Sequence, residues 1–185
     1  DAVSYCNQRS TSEGLTAAYT ITGATYSGNH ITSATVTWNQ AGKGYRLLTE
    51  AEWEYACRAT STTAFCNGGI THLDCSPVDL NLEQVGWYCG NGSDTTHEVG
   101  GKTANAWGLK DMHGNVWEWC WDWWSATYPS DPVTDPAGPA SGLYRVLRGG
   151  SFYPTARRCR SAYREYVNPT SANYDLGLRP CRTAS

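Results

Sequence analysis

The chain has 185 residues, a formal net charge of -3 and 17% charged residues. That length suffices for one domain with a real core. The absence of any basic run removes the electrostatic footprint of a nucleic-acid binder, and no apolar run approaches a membrane-spanning helix.

Asp1 to Arg9, DAVSYCNQR, places Val3 and Cys6 on one helical face with Asp1 as the cap. Gly14 to Trp38 is rich in Thr, Ser and Gly and alternates in pieces such as AYTIT and ATVTW, which predicts short strands or extended loops. Tyr45 to Arg58, YRLLTEAEWEYACR, is the clearest helix. Thr49 with Glu52 three residues on is a capping box. Trp53, Ala56 and Cys57 make an apolar stripe. Arg46 and the nearby glutamates read either as surface charges or as a buried ion pair.

Ala59 to Pro77 holds Cys66 and Cys75 around a Gly-Gly turn and reads as a small disulfide-closed loop. Leu80 to Asn91 leads into a strand predicted at Val85 to Cys89. In Ala106 to Trp124, Trp117, Trp119, Trp121 and Trp123 alternate with the period of a strand. Asp131 to Gly142 is a Pro- and Gly-rich loop.

Eight cysteines are widely spaced, with no Cys-x-x-Cys and four scattered histidines, which argues against zinc. The pattern favours disulfides and an oxidising compartment. It leaves open that some are buried free thiols, since Cys packs well as a small apolar residue.

The stretch Arg145 to Arg179 changes character along its length. Its ends, RVLRGGSF and LGLR, read as packed strands, whereas Tyr153 to Asp175 is polar, tyrosine-rich and aperiodic. Polar sequence between fixed anchors predicts surface loops on a rigid frame, where binding residues concentrate. Between Phe152 and Leu176 there is no Lys, Gln, Trp or Met, and one Glu, Glu165. Every other residue there can be reached from an AAC codon by changing adenines alone.

The blocks AVSYCN, YRLLTEAEWEYACR, WGLKDMHGNVWEWCWDWW, RVLRGGSF and CRSAYR…LGLR together resemble the formylglycine-generating-enzyme (sulfatase-modifying factor) domain family, in order and over nearly the whole chain. The resemblance implies an α+β, C-type-lectin-like fold: loop-rich, with two helices and short twisted sheets. It makes residues 1–185 a single domain, and it implies a further N-terminal stretch of strands preceding Asp1.

The family's oxidising enzymes carry a cysteine pair a few residues after the GGS turn and bind copper(I) as a dithiolate, a soft ion on soft ligands. Here Phe152, Tyr153, Pro154, Thr155 and Ala156 follow Ser151, without a cysteine. The resemblance pairs Cys6 with Cys181 and Cys57 with Cys159, leaving Cys66 with Cys75 and Cys89 with Cys120. It also implies a structural calcium site at Asp111, Gly114, Val116 and Glu118, built of carboxylate and backbone oxygens. The same residues leave open that Glu118 pairs with an arginine such as Arg148 and that Asn115 holds a left-handed turn.

One branch is similar in more detail: the variable proteins of diversity-generating retroelements. By that resemblance Ala156, Cys159, Arg160, Ser161, Ala162, Arg164, Pro169, Gly177 and Arg179 are frame. Residues 152–176 form the variable ligand-binding region. The contact residues expected there are Tyr153, Thr155, Arg157, Arg158, Tyr163, Glu165, Tyr166, Val167, Asn168, Thr170, Asn173, Tyr174 and Asp175. The implied protein is non-enzymatic and monomeric, displayed outside the cell or on its surface. It binds a variable macromolecule, a protein or other cell-surface component, with no catalytic cofactor. The rival expectation is a copper oxidase using the family pocket.

Overall fold

The computed structural model describes residues 1–183. The first helix, α1 (Ala2–Ser12), buries Cys6 and Ser10. Asp1 precedes it, but its side chain does not cap the helix. Asp1 instead accepts the Ile31 N–H at 2.9 Å and meets the His30 ring. The Thr-rich stretch forms one long antiparallel hairpin, β1 (Tyr19–Ser27) with β2 (His30–Trp38). The short strand β3 (Arg46–Leu47) follows.

Helix α2 (Glu50–Arg58) begins at Thr49 with both halves of the capping box formed. Arg46 and Glu52 make a bidentate, partly buried pair at 2.6 and 2.7 Å. The stripe buries Trp53 and Cys57 completely, against Met112, Cys120 and Val146.

A third helix, α3 (Leu80–Val85), stands where the sequence predicted the approach to a strand. The expected strand at Val85 to Cys89 shrinks to β4 (Gly86–Trp87), paired in parallel with β5 (His113–Gly114). Asp79 explains the change. Its buried carboxylate accepts the N–H groups of Asn81 and Leu82, and on the other side those of Thr71 and His72. One side chain therefore caps the helix and fixes the preceding loop.

The main sheet has the order β8-β7-β6-β9. It comprises β6 (Trp117–Trp123), β7 (Arg145–Arg148), β8 (Glu165–Val167) and β9 (Leu176–Gly177). β7 runs antiparallel to β6 and β8, and β9 runs parallel to β6. The alternation in β6 is real, but its more buried face is the polar one. Glu118, Cys120 and Asp122 are buried, while Trp119, Trp121 and Trp123 are half-buried. Trp121 stacks on Tyr19 and meets the edge of Trp38, so the tryptophan face receives the hairpin. A final strand, β10 (Pro180–Cys181), pairs with β3.

The cysteines differ from the expected scheme. The disulfide present joins Cys75 to Cys89, which rules out both Cys66–Cys75 and Cys89–Cys120. Cys6, Cys57, Cys66, Cys120, Cys159 and Cys181 are free thiols, so the expected Cys6–Cys181 and Cys57–Cys159 bonds are absent as well. Four of the six are buried, and Cys66 and Cys181 are half-buried. Cys6, Cys57, Cys120 and Cys159 each serve as a small apolar residue in the core. Burial pushes the thiols of Cys6, Cys57 and Cys159 up to about 12.

Candidate ligand-binding surface

The polar stretch 152–176 follows a glycine turn. Gly149 and Gly150 both have positive φ, and a Cβ on Gly150 would stand 2.5 Å from the Cys159 sulfur. Only glycine fits this approach. Beyond it lies a 3-10 helix, Ala156–Cys159. Residues three apart eclipse in such a helix, so Ala156 and Cys159 drop together into the core with Phe65, Leu82, Val85 and Tyr88. Arg157 and Arg158 are left pointing outward. The backbone is pinned from outside the stretch: Arg157 N–H donates to Leu73 at 3.1 Å and Ser161 N–H to Ala64 at 2.8 Å.

Two arginines hold the next segment. Arg148 is fully buried. It donates to the carbonyls of Ser161 and Tyr163, and its guanidinium pairs with Glu54. Arg164 reaches Glu50 with two bonds, at 2.5 and 2.7 Å, and also donates to the Ser125 carbonyl. Its guanidinium lies 4.3 Å from both the Trp124 and the Tyr128 rings. The Ser161 and Tyr163 carbonyls and the Arg148 and Arg164 side chains thus face inward, although Arg148 Nε is buried without a hydrogen-bond partner and Ala162 and Pro169 of the expected frame are exposed. The residues between them face out: of the expected contact residues, each is exposed or half-buried and none is buried.

Contacts sort these residues into two groups. In the first, Tyr174 packs on Phe152, and the Asp175 carboxylate accepts a bond from the Ser151 hydroxyl at 3.2 Å. The Asp175 carbonyl takes the Trp117 N–H, and Tyr163 packs on the Trp117 ring. Arg158 then covers Tyr163 and reaches Glu165 at 3.5 Å. Tyr153 stands exposed beside Phe152, and Thr155 begins the 3-10 helix. Arg157 comes within 3.9 Å of Asp74.

In the second group, Tyr166 projects from the opposite face of β8 to Glu165 and Val167. Its ring lies 4.6 Å from Trp124 and 5.1 Å from Tyr144. Val167 pairs with Arg145 across β7. The Asn168 side chain holds the following turn by accepting from Thr170, whose carbonyl meets His30. Asn173 is exposed, and its carbonyl accepts the Leu176 N–H. Tyr144 and Trp124 lie outside residues 152–176 and were not expected at this surface. Nothing local marks them; β7 and the end of β6 carry them there.

The residues of the implied calcium site have other partners. Both oxygens of Glu118 are bonded to Arg179, at 2.8 and 3.0 Å, and one also accepts Trp53 Nε1–H at 2.7 Å. Arg179 further donates to the Lys110 and Asp111 carbonyls. The Gly114 carbonyl accepts the Val116 N–H. Asp111 Oδ2 accepts from Gly100, and Oδ1 alone is a buried acceptor without a partner. A guanidinium therefore supplies the positive charge at Glu118, and Asp111, Gly114, Val116 and Glu118 do not fit a shared calcium shell. The arginine is Arg179 and not Arg148. Asn115 does hold a left-handed turn, with φ of 68°.

The profile of the "Sulfatase-modifying factor enzyme 1-like domain" matches residues 1–184. The chain is 37% identical over 166 residues to a formylglycine-generating enzyme of Streptomyces coelicolor, covering 78% of this chain and 50% of that one. It is 31% identical to chaperone protein LppX of Paenibacillus barcinonensis, over 99% of this chain and 67% of the relative. Among solved structures, Treponema denticola variable protein 1 superposes with a TM-score of 0.83 at 33% identity, over 98% of this chain and 68% of that one. The chain thus spans about half the length of the Streptomyces enzyme, and its C-type-lectin-like scaffold is of the kind the variable protein has.

Proposed function

Because the chain belongs to the sulfatase-modifying factor enzyme 1-like domain family, we propose that it is a non-enzymatic member that binds a macromolecule through residues 152–176. Retroelement mutagenesis would rewrite that surface on a fixed frame. One observation carries the reading: the expected contact residues are all exposed or half-buried, while Ala156, Cys159 and Ser161 interleaved with them are fully buried. Tyr153, Tyr163, Tyr166 and Tyr174 supply rigid amphipathic area at low entropy cost, and Arg157, Arg158, Asn168 and Asp175 supply polar contacts. The partner class is a protein or cell-surface component bound by a monomer outside the cell. The Cys75–Cys89 disulfide supports that compartment.

The relatives include enzymes, so an oxidase is the second reading. It needs two thiolates beside the GGS turn. Phe152 to Ala156 offers none, and burial holds the Cys159 thiol protonated. The deciding experiment is to sequence the DNA flanking the gene. A near-identical repeat differing only at adenines, beside a reverse transcriptase, is the expected result. Absence of both, together with stoichiometric copper(I) binding by the reduced protein, would transfer the case to the oxidase.

A further inference from the structure

A cavity of about 770 Å³ lies on the far side of α2 from Trp53, roofed by the loop from Ser125 to Pro139. Its volume is that of a small-molecule site, and of residues 152–176 it takes Arg164, whose guanidinium points inward, and none of the expected contact residues. Its floor is Asp122, only 5% exposed. Asp122 Oδ2 accepts the Glu50 N–H at 2.8 Å. Oδ1 lies beside Gly138, 3.1 Å from where a Cβ would stand, and the carboxylate's other hydrogen bond comes from its own backbone N–H.

The other acids of the cavity are in different states. Glu50 is neutralised by Arg164 and Arg148, and Glu54 by Arg58 and Arg148. Among the described residues Asp122 and Asp131 make no salt bridge, and the rings of Tyr55 and Tyr128 stand in the wall. A buried carboxylate without a salt bridge, a second such carboxylate and aromatic faces share one preference: an organic cation with N–H donors.

We propose that this cavity is a second binding site, for a primary ammonium or guanidinium carried on a short aliphatic stem. The ammonium seats on Asp122 Oδ1, and the stem lies against Tyr55 and Tyr128. Arg164 shows the chemistry in place, since its guanidinium already sits between Tyr128 and Trp124 while paired to Glu50.

The test is titration calorimetry of the whole chain with 1,4-diaminobutane, and with 1,4-butanediol as the neutral match of similar length. The diamine is expected to bind saturably and the diol not to bind. Asp122→Asn, which keeps an acceptor for the Glu50 N–H, is expected to weaken the diamine at least tenfold. Tyr55→Ala, at an exposed position on α2, is expected to weaken it several-fold, and serves if the Asp122 variant fails to fold. No saturable diamine binding, equal binding of the diol, or unchanged affinity in a folded Asp122→Asn variant would each overturn the proposal. None of these results bears on residues 152–176, so the two readings fail separately.

Discussion

Arg164 sits in the chain between Tyr163 and Glu165, two residues of the outward surface, yet its own guanidinium points inward and grips Glu50 with bonds of 2.5 and 2.7 Å. The stretch that carries these outward side chains is thus bolted to the first turn of α2 from within. Both partners are shielded, at 14% and 6% side-chain exposure. Removing Arg164 leaves the buried Glu50 carboxylate with Arg148 alone, at 3.7 Å, and breaking a buried pair costs about 3 kcal/mol. Arg164→Ala is therefore expected to lower the urea midpoint by that equivalent. A shift under about 0.5 kcal/mol, the usual range for surface substitutions, would show the pair to be ornamental.

The outward residues should behave in the opposite way. Tyr153 and Tyr174 are 62% and 77% exposed. Replacing Tyr153, Arg157 and Tyr174 together by Ala is expected to leave stability within about 1 kcal/mol, since such surface changes each stay near ±0.5 kcal/mol. Thermal melts of the triple variant check this. A collapse of the melt would mean that these side chains hold the loops up, and that the frame alone does not.

The sequence revealed most where the determinants are local. The Thr49–Glu52 box and the Trp53–Cys57 stripe mark α2 within ten residues, and the structure forms both. Alternation marked β6 as a strand, but not which face goes in. Glu118, Cys120 and Asp122 turn inward because their partners come from far away in sequence: Trp53 and Arg179 for Glu118, the Glu50 N–H for Asp122. For the same reason α3 was hidden, since the Asp79 cap gains its second function from Thr71 and His72. Within residues 152–176 no periodicity separates frame from surface. The division followed from which residue types occur and from the family likeness; Ala156, Cys159 and Ser161 of the expected frame are buried, whereas Ala162 and Pro169 are exposed.

The cysteines are the clearest departure and give a direct measurement. Alkylation in denaturant without reductant, followed by peptide mass spectrometry, is expected to label Cys6, Cys57, Cys66, Cys120, Cys159 and Cys181 and to leave Cys75 joined to Cys89. The bond closes a loop with a separation of 14 residues. Cross-linking a loop of that size stabilises by about 3 kcal/mol through the unfolded chain, so Cys75→Ser with Cys89→Ser should lose roughly that much. A crosslink between Cys66 and Cys75 in the peptide map would refute the pairing.

Asp122 predicts how stability follows pH. Burial raises its pKa from 3.8 to about 6, with the Glu50 carboxylate adding to the rise. The Glu50 N–H bond and Arg145 oppose it. In the folded chain the proton is held more tightly than in the unfolded one, so between these values the native state binds more protons. Stability from this group is therefore full below about pH 4 and falls as pH rises through about 6. At 1.36 kcal/mol per pKa unit the loss is on the order of 3 kcal/mol. Asp122→Asn cannot ionise and should lack this component, so that its urea stability falls less than that of the wild type from pH 4 to pH 7. Parallel profiles for the two proteins would show that the Asp122 carboxyl is not desolvated as its 5% exposure requires.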